Sequence, residues 1–145
     1  MQILKEKSRA KSQITFDEDF NVPDAKPDAG RLIQNKGRII MDDVRLTDGK
    51  GILTGNLQVD ILYVGEERGI VSSLTAKLPF EETLNLKNII NGDKMCLKWE
   101  IEDLTIRLIH SRKLNIKALV TFCATVDETE QIRLCLLYTS PSPRD

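Results

Sequence analysis

Apolar residues at every second position run through most of this chain, and that spacing leaves room for little except strands. Ile116, Ala118, Val120, Phe122, Ala124 and Val126 are apolar, with Lys117, Thr121 and Thr125 between them. Successive side chains of a strand point to opposite faces, so such a run buries one face and wets the other. Leu57, Val59, Ile61 and Tyr63 repeat the pattern against Gln58, Asp60 and Leu62. Leu97, Trp99 and Ile101 do the same, and the phase then moves to Leu104, Ile106 and Leu108. A one-residue slip would turn the wrong face to the core, so a β-bulge or bend is expected at Glu102–Asp103. A further strand is expected from Ile70 to Phe80, ended at or just after Pro79. Trp99 and Phe122 are in phase with their apolar neighbours and are expected to be largely buried.

Turn chemistry falls between these runs. Asp48-Gly49 separates Val44–Leu46 from the strand at Ile52–Val64, and Asn91-Gly92-Asp93 precedes the strand at Met95. Gly65–Gly69 reads as a charged loop between two strands. One short helix is expected at Asp28–Gln34, behind Pro27 and with Asp28 as its cap. The fold class is therefore all-β, an antiparallel sandwich or partly open barrel with one short helix near the N-terminus. Asp43-Val44-Arg45-Leu46 and Asp103-Leu104-Thr105-Ile106 each precede a turn and a long strand, a faint internal echo.

Three segments are expected: 1–35, an N-terminal segment with a Pro-stiffened connector; 36–134, the β domain; and 135–145, a non-native tail. Cys135 to Asp145 resembles one reading frame of a transposase adapter used in sequencing libraries, and two prolines within three residues suit no ladder. On that reading the genuine sequence is cut near Leu134, the net charge of -1 is unchanged, and Cys96 and Cys123 are the genuine cysteines. The tail beyond Ser140 is expected to be exposed and unpaired, while the apolar Cys135–Tyr138 can be drawn into a strand.

The charge balance argues against a broad nucleic-acid footprint, which needs surplus Lys and Arg. No apolar run approaches the roughly 20 residues of a membrane span. Met1–Lys11 carries Lys5, Lys7, Arg9 and Lys11 without an apolar core, so a cytoplasmic location is expected. The cysteines have no metal-ligand spacing and form no disulfide framework. His110 is the single histidine, and nothing near it in sequence supplies a nucleophile or an orienting acid. The acidic pairs Asp42-Asp43, Glu66-Glu67, Glu81-Glu82 and Glu102-Asp103 point to opposite strand faces and suit solvated strand ends. No catalytic residue, cofactor or metal is expected, and the chain is not expected to be an enzyme.

Two clusters stand out. Asp19–Ile33 holds Pro23 and Pro27 among charged positions and apolar anchors, and reads as a rigid connector or a docking element. Ser111-Arg112-Lys113 puts two cations on a tight turn, either simply solvated or an interaction edge. The protein-binding candidates are Arg112, Lys113, Lys26 and Arg31. Arg112 and Lys113 are expected to be exposed, so that removing them weakens binding and leaves the fold intact.

The runs Asp19–Ile33, Val59–Val64, Leu78-Pro79-Phe80-Glu81-Glu82, Trp99–Asp103 and Ser111–Ala118 together resemble the SPOCS domain family, over about Ile3 to Val126. The resemblance implies a first repeat of a spore coat morphogenetic protein from a spore-forming Firmicute. Its implied role is to bind the ATPase of the coat basement layer and help anchor the coat to the forespore, in the mother-cell cytoplasm. It also implies that peptidoglycan contact would belong to a LysM module, of which these residues show no trace. A cell-wall or carbohydrate-binding β-sandwich is the alternative, weakened by an aromatic content of 5% and by the inward phase of Trp99.

Overall fold

The computed structural model describes the backbone of residues 6–47, 49–67, 69–86, 94–127 and 136–139. Among them, seven strands form: β1 (Glu6–Asn21), β2 (Ala29–Thr47), β3 (Lys50–Gly65), β4 (Val71–Asn85), β5 (Lys94–His110), β6 (Lys113–Asp127) and β7 (Leu136–Thr139). They make two antiparallel sheets, one ordered β1-β6-β5-β7 and the other β2-β3-β4. The sheets approach each other where β2 meets β5 and where β1 meets β4. The architecture is all-β, as the alternation requires.

The central strands carry the driest faces. Leu57, Val59 and Tyr63 on β3 and Ile116, Val120 and Phe122 on β6 have no measurable exposure. Rings from three strands bridge the sheets: Phe80 meets Phe16 edge-on at 6.2 Å and Phe122 at 5.4 Å. Phe122 is thus buried as its phase requires. Trp99 is only half-buried against the core, because β5 lies toward the rim and its flank is covered over part of its length.

The bulge expected at Glu102–Asp103 is present, as a register shift between Ile101 and Asp103. Among the other register shifts, one on β2 lies between Met41 and Asp43. Both extra residues are acidic and both bond to the adjacent central strand. Asn56 on β3 donates to the Asp42 carboxylate at 3.0 Å, and the Thr121 hydroxyl on β6 donates to the Glu102 carboxylate. The sequence echo thus has a structural counterpart, since Asp43 and Asp103 each follow a bulge of the same chemistry.

Three expectations need correction. The short helix at Asp28–Gln34 does not form, because β2 starts at Ala29 and pairs with β3 from Gly65 onward. Ladder bonds to a neighbouring strand outweigh a helical preference that spans barely two turns. Asp28 caps nothing helical; its carboxylate binds Arg112. Nor does Pro79 end its strand, because β4 runs on to Asn85. β4 is the rim of its sheet, where the missing N–H breaks no ladder. Cys96 is buried and disulfide-bonded, whereas Cys123 is a free, half-buried thiol.

The β2–β3 connection falls where the turn was expected, with Thr47 opposite Lys50 and Gly49 at a φ of 78°, a conformation glycine adopts without strain; Asp48 lies outside the described residues. β1 lies within the segment expected as a connector, and it pairs with β6 along nearly its whole length. Leu136–Thr139 is drawn in as β7 against Lys94–Leu97. The turn at 91–93 and the tail beyond 139 lie outside the described residues.

Candidate functional site

The segment between β1 and β2 must carry the chain from one sheet to the other, and its own carbonyls need partners once strand pairing stops. Arg112, in the β5–β6 turn, supplies most of them. Its guanidinium donates to the carbonyls of Lys26 at 2.7 Å, Pro23 at 2.8 Å and Val22 at 3.1 Å, and to the Asp28 carboxylate at 2.9 Å. Five donors in a rigid plane are what allow one side chain to hold four acceptors. The turn's backbone adds two more ties, from Val22 N–H to the Arg112 carbonyl and from Ala29 N–H to the Ser111 carbonyl, both at 2.8 Å.

The β3–β4 end closes the knot from the other sheet. The Tyr63 hydroxyl donates to the Pro27 carbonyl, and Glu66 N–H donates to the Asp28 carbonyl, each at 2.8 Å. Lys26 N–H returns to the Pro23 carbonyl at 2.9 Å, which makes Pro23–Lys26 a tight turn. Burial raises the Tyr63 phenol above its ordinary value, with the Arg112 cation and a hydrogen bond to Ser72 opposing the rise.

The four candidate cations therefore stand in different situations. Arg112 is engaged within the protein, with a side chain 31% exposed. Lys113 lies 3.9 Å from the Asp19 carboxylate and is similarly half-covered. Lys26 is half-buried on the pinned loop. Arg31 is exposed on β2, opposite Val64. The structure gathers Arg112, Lys113 and Lys26 around the knot and sets Arg31 two residues along β2. His110 is exposed, and its Nδ1 accepts from Arg112 N–H at 3.1 Å, which makes it part of the turn. Asp28, expected as a helix cap, and Tyr63, expected only as an inward-facing strand residue, both belong to the knot. The signal for Tyr63 was available, since an inward-phased tyrosine needs a partner for its hydroxyl.

Among the described residues, no group of three or more His, Cys, Asp or Glu is placed to hold a metal ion, and no helix is long and apolar enough to cross a membrane. What the arrangement does chemically is fix a loop. The two motifs it joins are 84 to 90 residues apart in the chain.

No curated protein and no solved structure matches the chain. A family model described as the SipL, SPOCS domain matches residues 28–109, more than half of the 145. The matched stretch opens at Asp28 in the knot, contains Leu78–Glu82 and Trp99–Asp103, and ends just before the Arg112 turn. The chain belongs to the SipL SPOCS domain family.

Proposed function

We propose that this is a non-catalytic protein-interaction domain of spore coat morphogenesis, which binds the ATPase of the coat basement layer and helps anchor the coat to the forespore. Family membership over residues 28–109, which points to a sporulation-related role, carries the reading. The knot supports it as a way of presenting a surface. A loop already held in place loses little further freedom when a partner binds, so less of the contact energy is offset by ordering. Lys26, Arg31 and Lys113 are the proposed partner-facing cations, and Arg112 acts by positioning the loop that carries Lys26. The setting is the mother-cell cytoplasm at the forespore surface, and any contact with peptidoglycan runs through a LysM module elsewhere in the full protein.

The test is a pull-down of the ATPase from sporulating cells with Lys26→Ala, Arg31→Ala and Lys113→Ala combined in the full-length protein. Binding should fall severalfold while the melting temperature stays close to the parent's. Undiminished binding would remove these three residues from the interface.

A further inference from the structure

The outer face of the β2-β3-β4 sheet carries its charges unevenly. Arg31, Lys36 and Arg38 on β2 lie opposite Val64, Asp60 and Gln58 on β3, and Lys77 on β4 lies opposite Gln58. These β3 residues alternate with the buried Tyr63, Ile61 and Val59, so all four cations share the solvent face. The bulge between Leu32 and Gln34 makes this possible, because it shifts the phase of β2 between Arg31 and Lys36. Four cations thus surround one carboxylate, Asp60, in a chain whose net charge is -1.

The carboxylates of this face stand apart from these cations. Asp60 accepts from the Thr75 hydroxyl at 2.8 Å, Asp42 accepts from Asn56, and Asp43 pairs with Arg45 at 3.4 Å. Asp42, Asp43 and Glu81 lie beyond the row of Ile40, Asn56 and Pro79, and Glu66 and Glu67 lie in the loop past Arg31. Among the described residues, no ion pair forms to Arg31, Lys36, Arg38 or Lys77, and all four are exposed. A face that meets only water gains from interspersed signs, because a surplus of one sign repels itself. A trough of about 280 Å³ crosses the strands in the middle of the patch, with Gln34, Leu62 and Ser73 on one side and Lys36, Asp60 and Thr75 on the other. The patch is also remote from where the chain leaves this sheet. β4 ends at Asn85, opposite Lys50 at the other end of β3, and β1, β6 and β7 belong to the other sheet.

We propose that this half of the β2-β3-β4 face is a docking site for an acidic segment of a partner protein, with carboxylates on either side of an uncharged residue. The uncharged residue sits at the trough over Asp60 and Leu62. The flanking carboxylates meet Arg31 on one side and Arg38 and Lys77 on the other. The three row steps from Arg31 to Arg38 span about 20 Å, which an extended segment of about six residues covers. Charge complementarity argues for this occupant. The surplus is positive, its cations have no ion partner in the chain, and Arg31 and Arg38 can each take a carboxylate through two parallel N–H bonds.

The proposal rests on the interaction reading and gives the chemistry of what is bound, so its test keeps the two apart. The 145-residue chain is titrated at low ionic strength, where exposed charges are least screened. The probes are a peptide of two glutamates, two glycines and two glutamates, the same peptide with glutamine for glutamate, and an oligothymidylate of matching charge. The acidic peptide should bind saturably, shift the backbone amides of 31–38, 58–64 and 71–77, and bind at least tenfold more tightly than the glutamine form. Lys36→Gln, Arg38→Gln and Lys77→Gln combined should weaken it at least tenfold at an unchanged melting temperature. No saturable binding, equal binding of the two peptides, or shifts centred elsewhere overturn the site. Tighter binding of the oligothymidylate overturns a protein as its occupant. Coat ATPase binding is measured on the parent and on the triple variant. If the ATPase binds both alike and the acidic peptide does not bind, the interaction reading stands and the face falls. If the peptide binds and the ATPase does not, the face stands and the choice of partner falls.

Discussion

Arg112 shows how much one side chain can decide when its acceptors are main-chain carbonyls. Its four hydrogen bonds at 2.7–3.1 Å hold a loop whose carbonyls have no ladder to join. Arg112→Ala should therefore lower stability by about 2–4 kcal/mol, because it strands several acceptors at once. Arg112→Lys should recover less than half of that, since an ammonium cannot span the same four sites. Lys113→Ala, which removes one half-exposed ion pair, should cost under about 1 kcal/mol. Thermal melts of the three variants check the order, and equal melting temperatures for parent and Arg112→Ala would contradict it. Two cations on a turn were legible in the sequence. Their separate roles were not, because backbone carbonyls far along the chain leave no mark on residue identity. Tyr63 gives a pH dependence. Its phenol is raised above the ordinary value of about 10, so the neutral form is favoured on folding. That contribution is complete below the unfolded pKa and is lost as pH rises through the folded one. Stability should fall at alkaline pH, and Tyr63→Phe should flatten that fall while losing the bond to Pro27 throughout.

At the level of elements, the outcome turned on whether a strand is central or at a rim. β3 and β6 pack on both sides of the register and alternate cleanly, so their sequences read directly. β2 lies at a rim, and from Arg31 to Arg38 most of its residues are exposed. Its apolar period is therefore broken, which is why Asp28–Gln34 read as a helix and the bulge at Asp42 went unread. The bulge at Glu102 was legible because β5 keeps apolar residues in both phases around it. Gly55 explains how β2 and β4 crowd the central β3. A Cβ there would stand 2.3 Å from the Ile40 carbonyl oxygen and 3.1 Å from the Phe80 ring. Gly55→Ala should thus cost about 2–4 kcal/mol through forced backbone movement, more than the usual effect of overpacking a flexible site. Chemical denaturation measures it, and a change under about 0.5 kcal/mol, the scale of an ordinary surface substitution, would mean that β2 yields freely.

Across the whole molecule, the sheets are held by a shared apolar layer and by two kinds of closure at the rims. Phe122 lies at the centre of that layer, and Phe122→Ala should cost about 3–5 kcal/mol. Trp99→Ala should cost less, about 1–2 kcal/mol, since the ring is only partly buried and less surface returns to water. The reverse order would place the core nearer β5 than the structure does. On the β1–β4 side, the Ser12 hydroxyl donates to the Glu82 carboxylate and ties one sheet to the other. On the opposite end the Arg112 knot does so. The motifs that carry the family resemblance supply these closures: Phe80 and Glu82 from one, Arg112 from another, and Pro23 to Asp28 from a third. Their prominence in the sequence is first of all architectural, and the proposed interaction surface is what that architecture would hold in place.

The account stands or falls on direct association of this domain with the coat-basement ATPase. The measurement is a calorimetric or biolayer titration of the purified 145-residue chain, shown to be folded by a cooperative melt, against the purified ATPase. The account predicts saturable binding that is weakened when Lys26, Arg31 and Lys113 are removed together and the fold is unchanged. A folded chain that shows no saturable association with the ATPase would contradict it.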